Sequence, residues 1–247
     1  LLQEAAAAIE SVHRLVPTIV RSGMTESEVA HHIGAAIIDA GHTGVDFVIV
    51  ASGPNGANPH HSVSERVIGV GDPIVIDIGG TMPSGYRSDC TRTYVVGEPV
   101  AEYSAAFEVL LNAQQSSVAF VSDERTCESV DAHARALMHD HHLDGRPLDE
   151  YFIHRIGHGI GLESHEEPYL VQGNTDVLQP GMAFSIEPGF YVPGRFGARI
   201  EDIVVCTEEG ARNLNTLSPP SLDAPTTDTG ELIDRSPPPI NVSSTSS

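Results

Sequence analysis

The feature that most constrains this 247-residue chain is an aspartate in the middle of an unbroken apolar run, Asp77 in IVIDIGG. A carboxylate withdrawn from water is costly unless it is paired, hydrogen-bonded or bound to a cation. Three further acids repeat the pattern. Asp89 leads from SDC into TRTYVVG, Glu187 interrupts AFSIEPGFY, and Glu201 interrupts ARIEDIVV. Any fold that brings these apolar strands together gathers four carboxylates, which repel one another strongly. Divalent metal ions are the obvious compensation.

Charge narrows the chemistry further. The chain carries 13 basic and 34 acidic side chains, a formal net charge of −21, which repels nucleic-acid phosphates and anionic lipid alike. All the basic residues are arginine, so Schiff-base, pyridoxal-phosphate and P-loop lysine chemistry are excluded. No apolar run reaches the roughly 18 residues of a membrane span. Cys90, Cys127 and Cys206 are three, an odd number and widely spaced, which reads as reduced thiols in the cytoplasm rather than a disulfide framework.

Helices and strands alternate over residues 1–217, giving an α+β catalytic domain. Residues 218–247, rich in Pro, Ser and Thr, form an expected disordered tail. The first helix is expected over 3–21, with Pro17 bending it. Thr25-Glu26-Ser27-Glu28 is a capping box that starts the second helix, which stops at Gly41. Two longer helices are expected over 101–121 and 126–142, and strands over 46–52, 73–80, 92–97, 183–192 and 199–207. An internal echo sets TESEVAHHIGAAIIDAG from Thr25 beside TCESVDAHARALMHDHH from Thr126. Two related α/β halves facing each other across a shared site follow from it. The His-rich MHDHHLDG at 138–145 reads as a solvated helix end, not a second metal cluster.

Glycines flank His158 in HRIGHGIGLESHEEP (154–168) and let backbone approach something closely. A histidine so placed, near four acids, has the character of a metal ligand. One nitrogen and many hard oxygens favour Mn²⁺ or Co²⁺, with Zn²⁺ and Fe²⁺ compatible.

Three strings in order, ANPHHSVSERVIGVGDPIVIDIGGTMPSGYRSDCTRTYVVG, FIHRIGHGIGLESHEEP and LQPGMAFSIEPGFYVPGRFGARIEDIVV, resemble the pita-bread metallopeptidases, in particular the prolidase and Xaa-Pro aminopeptidase branch. The resemblance covers about residues 1–215. It implies two pseudo-symmetric halves around a mixed or antiparallel curved sheet, with a central dinuclear metal site. It implies that Asp77, Asp89, His158, Glu187 and Glu201 hold two divalent ions, Asp89 and Glu201 bridging them. His60 would position substrate and shuttle protons, His165 would support the tetrahedral intermediate, and Glu187 would carry the proton. His154 and Arg199 would stand behind the ligands, Arg199 also within reach of a substrate carboxylate.

The implied activity is hydrolysis of the bond before proline in di- or oligopeptides, by a hydroxide bridging two metals. A homodimer accords with the resemblance. Methionine aminopeptidase shares fold and ligands, and a catalytically weak fragment or a non-enzymatic pita-bread protein is the other alternative. The branch usually carries a separate N-terminal domain. This chain starts inside a helix without an initiator Met, so lost N-terminal sequence is expected.

Overall fold

The computed structural model describes residues 1–216; the tail expected from Ser218 lies outside them. In the first half, α1 (Leu2–Ile19) and α2 (Glu26–Asp39) pack on a three-stranded sheet of β1 (Gly44–Ser52), β2 (Pro73–Thr81) and β3 (Arg87–Val95). α1 turns Ala5, Ile9, Val12 and Val16 inward at helical spacing, and Pro17 sits within its last turn without ending it. α2 starts at the capping box: the Thr25 hydroxyl accepts from the Glu28 N–H, and the Glu28 carboxylate accepts from the Thr25 N–H. Their apolar faces close on Ile74, Ile76 and Ile78 of β2. Each fully buried Ile or Val contributes about 1.5–3 kcal/mol.

The second half has α3 (Ala101–Phe120) and α4 (Cys127–His139), then a small hairpin of β4 (His142–Leu143) and β5 (Arg146–Pro147). Its main sheet runs β12-β11-β8-β6-β7, built from β6 (Gly157–Gly159), β7 (Glu166–Leu170), β8 (Ala183–Ile186), β11 (Asp202–Thr207) and β12 (Gly210–Asn213). A separate pair joins β9 (Gly189–Val192) to β10 (Phe196–Arg199). Every ladder is antiparallel. A second core, around Phe107, Leu110, Val130, Phe184 and Phe190, fills this half.

The two halves repeat one plan. Isolated bridges Thr25–Val67 and Thr126–Val177 open both units. In each, the residue after the capping Thr donates its N–H across the bridge: Glu26 to the Arg66 carbonyl, Cys127 to the Asp176 carbonyl. The halves are sewn together by backbone contacts. The Glu201 N–H donates to the Thr91 carbonyl, and the Thr93 hydroxyl donates to the Arg199 carbonyl. Between them Gly197 lies so close to Gly56 that a Cβ there would stand 2.0 Å from the Gly56 carbonyl oxygen.

Two expected strands are each divided. The 183–192 run breaks after Ile186 and the 199–207 run breaks after Arg199, so that Glu187 and Glu201 stand at the breaks instead of inside strands. Pro188 has no N–H to give a ladder. Residues 200 and 201 turn their N–H groups to the Pro188 and Thr91 carbonyls and leave the β10 ladder. The fourth helix ends at His139, three residues before expectation, where Asp140 caps it and the chain turns into β4.

Candidate metal centre and cavity

A cavity of about 580 Å³ opens between the halves. Asp77 and Asp89 reach it from β2 and β3, Glu187 and Glu201 from the two strand breaks, and His158 from the centre of β6. His60, His154, His165 and Arg199 also line it, so all nine residues singled out in the sequence share one wall. His61, the neighbour of His60, does not line it; its Nε2 lies 2.8 Å from Glu26 instead. The His-rich 138–145 segment does not line the cavity, and its His139 is paired to Asp149 at 3.1 Å.

Asp89, His158 and Glu201 are buried and offer ligand atoms that lie within 4.8 Å of one another. Glu187 stands beside them, its Oε1 3.3 Å from His158 Nε2. The ring of His158 is fixed by its Nδ1–H, which donates to the Gly159 carbonyl at 3.0 Å, so Nε2 presents a lone pair to the acids. Gly157 is obligatory on this strand, because a Cβ there would lie 1.9 Å from the Ser185 carbonyl oxygen. Burial pushes His158 down to about 3, which keeps the ring neutral at neutral pH.

Arg199 compensates the acids only in part. Burial first, then repulsion from Glu201, Asp77 and Glu187, raises Asp89 well above the usual carboxylate range. Glu201 is raised for the same reasons, against the hydroxyl of Thr91 at 2.7 Å. Burial lifts Glu187 to about 7 in spite of Arg199. Asp77 accepts from Arg199 at 2.5 Å through Oδ2, while its buried Oδ1 has no hydrogen-bond partner. An orphaned buried oxygen, three acids forced upward and a neutral imidazole lone pair together fit divalent cations.

Behind the acids runs a chain of hydrogen bonds. Arg199 donates to the Tyr191 hydroxyl at 2.7 Å, Tyr191 donates to His154 Nε2 at 2.8 Å, and His154 Nδ1–H donates to the Arg155 carbonyl at 2.7 Å. Burial and the nearby Arg199 push His154 down to about 3, consistent with a neutral acceptor. Arg199 is 4% exposed, and its donors face Asp77, Tyr191 and Thr91. That orientation makes it a holder of Asp77. His165 lies on the open side, its ring centroid 4.0 Å from that of His158.

Two residues of this site carry no sequence signal that singles them out. Tyr191 is one more aromatic in a strand. Arg155 reads as a solvated charge beside His154, yet it lines the cavity and stacks over the Tyr169 ring at 4.7 Å. Phe47, Ile49 and Val171 supply the apolar part of the wall.

Residues 1–208 match the family model described as metallopeptidase family M24. The chain is 52% identical over 214 residues to a probable dipeptidase PepE of Mycobacterium bovis, covering 87% of this chain and 56% of the relative. It is 40% identical over 193 residues to an Xaa-Pro dipeptidase of Lactobacillus delbrueckii, covering 77% of this chain and 51% of the relative. The prolidase structure from Pyrococcus furiosus superposes with a TM-score of 0.83 at 35% identity, over 87% of this chain and 63% of that one. The chain thus spans little more than half the length of the curated relatives it matches.

Proposed function

Because the chain belongs to metallopeptidase family M24, whose pita-bread fold it shares, we propose that it hydrolyses the peptide bond before proline in short peptides, dipeptides first among them. The observation that carries the reading is the convergence of Asp89, His158 and Glu201 within ligand reach of one another, with Asp77 and Glu187 beside them, in one cavity. These five residues would hold two divalent ions, Mn²⁺ or Co²⁺ by the hardness of the oxygens. When bound, such ions lower the pKa of water and polarise the scissile carbonyl.

The chain's own groups do the rest. Glu187 stands at the strand break with one oxygen 3.3 Å from His158 Nε2, where it can accept the proton of the attacking water and return it to the departing proline nitrogen. His165, on the open side of the cavity, donates to the developing oxyanion. His60 faces the same space from the 58–64 loop and positions the substrate. Phe47, Ile49 and Val171 offer the pyrrolidine ring an apolar wall. Arg155, not the buried Arg199, presents its guanidinium to the substrate's terminal carboxylate.

Replacing Arg155 by Ala should therefore raise KM for Ala-Pro about tenfold, the loss of one charge-assisted hydrogen bond, with kcat changed much less. A KM unchanged in that variant would move the carboxylate site elsewhere.

The free thiols accord with a cytoplasmic setting, and among the described residues no helix is long and apolar enough to cross a membrane. The test is a side-by-side assay of metal-stripped protein, with and without Mn²⁺, on Ala-Pro and Met-Ala-Ser. Metal-dependent cleavage of Ala-Pro alone is the expected result. Release of methionine alone would make it an aminopeptidase of the methionine type.

A further inference from the structure

One buried carboxylate takes no part in the metal centre. Glu26, the first residue of α2, is fully buried and receives donors from four residues. The Ser52 N–H and hydroxyl reach Oε1, each at 2.7 Å, and the Asn55 amide lies 3.1 Å from both oxygens. His61 Nε2–H donates to Oε2 at 2.8 Å and the Ser64 hydroxyl at 2.6 Å. Burial pushes this carboxyl upward, yet the bonds from Ser64, Ser52 and His61 outweigh it and hold the group below its ordinary range. Such a charge, ringed by donors, is stable where it stands.

The fold itself does not require an acid there. In the other half the same place, directly after the capping Thr126, is Cys127, equally buried and making the equivalent backbone bond to the Asp176 carbonyl. A small thiol completes that copy of the motif. In the first copy the acid lies under the 58–64 loop, which carries His60 into the cavity. Its donors to Glu26, His61 and Ser64, both follow His60, and Asn55 and Ser52 anchor its approach. Adjacent side chains thus part ways: His61 turns inward to Glu26 and His60 turns out to the substrate space. Within the loop the His60 N–H donates to Asn58 Oδ1 at 3.1 Å, which gives little hold on its own.

We propose that Glu26 is a positioning residue, whose buried carboxylate grips the 58–64 loop through His61 and Ser64 and so sets where His60 stands in the cavity. The proposal rests on the peptidase reading only for its kinetic readout. In Mn²⁺-loaded protein, Glu26→Gln keeps size and removes the charge. It is expected to lower kcat/KM for Ala-Pro between about tenfold and a hundredfold, the cost of an ångström-scale displacement of an active-site group. In a His60→Ala background the same change is expected to cost less than about twofold, because the group it positions is gone. Mn²⁺ stoichiometry should stay at its wild-type value in both.

Equal losses in the two backgrounds would reduce Glu26 to general stability and overturn the proposal. So would an unchanged kcat/KM in Glu26→Gln. Amide hydrogen exchange decides independently of activity: exchange over 58–64 should accelerate in Glu26→Gln while β2 stays protected. Unchanged exchange in the loop would refute it. If wild type fails on Ala-Pro, the peptidase reading falls and the exchange result still judges Glu26. Asn55→Ala, which removes one donor to the acid and leaves the acid in place, is the second variant and should show the same pattern at smaller size.

Discussion

Asp89→Asn should lower kcat/KM for Ala-Pro by about a thousandfold or more, and should raise the melting temperature of the metal-free protein. The two effects have one origin. Asp89 is 3% exposed and faces Glu201, Asp77 and Glu187, with Arg199 pulling its carboxyl downward. Without cations its charge is a burden on the fold, and an amide of the same shape removes it. A gain of about 1–2 kcal/mol is the expected size, worth about 2–4 °C per kcal/mol in a domain this large. With cations the sign is expected to reverse, because the variant would offer one carboxylate oxygen fewer to hold them. Calorimetry with and without Mn²⁺, beside kcat/KM, separates the two. Wild-type Mn²⁺ affinity in Asp89→Asn, with activity within tenfold, would sink the ligand assignment.

Stripping the metal should abolish turnover, and should leave a protein in which the buried acids cost more stability as pH rises. Glu187 has a folded-state pKa of about 7 against an ordinary 4.5. A carboxyl raised on folding binds more protons in the folded state than in the unfolded one, so no penalty exists below about 4.5. The penalty grows between about 4.5 and 7 and is complete above that. From Glu187 alone it is on the order of 3 kcal/mol. Asp89 and Glu201 are shifted in the same direction and extend the decline. The stabilisation by Mn²⁺ should therefore be small at pH 5 and large at pH 8, with thermal unfolding at both pH values as the measurement. A stabilisation by Mn²⁺ of equal size at both pH values would mean that the acids are compensated by something other than cations.

Much of this arrangement is legible in the chain. The capping box at Thr25 announces a helix start because it satisfies orphan N–H groups locally, and locality is what a linear reading sees. Asp77 stands out for the opposite reason, a charge where a strand should be apolar. What escapes is whatever depends on a second segment. The strand breaks at Glu187 and Glu201 are made by Pro188 and by the Glu201 N–H, which leaves for Thr91, more than a hundred residues back. β6 is three residues long and exists through its partners on both sides. His60 and His61 are neighbours in a loop, where no periodicity assigns a face, and only Glu26 separates them. Glu26 itself reads as an ordinary acid in a helix's first turn.

The stitching between the halves also bears on the order in which a ribosome delivers this chain. Arg92 is wholly buried on β3, and its guanidinium donates to the Glu201 carbonyl and to the Asp202 carboxylate, each at 2.6 Å. Thr91 and Thr93, on either side, bond to Glu201 and Arg199. Gln3 and Glu10 of the first helix bond to Leu214 and Thr216. These acceptors and donors emerge more than a hundred residues after β3, many seconds later at about 5–20 residues per second. During that interval the first half has its helices and its sheet but lacks the side that covers β3. The nascent chain is therefore most exposed to misassembly at the very surface that will form the cavity floor.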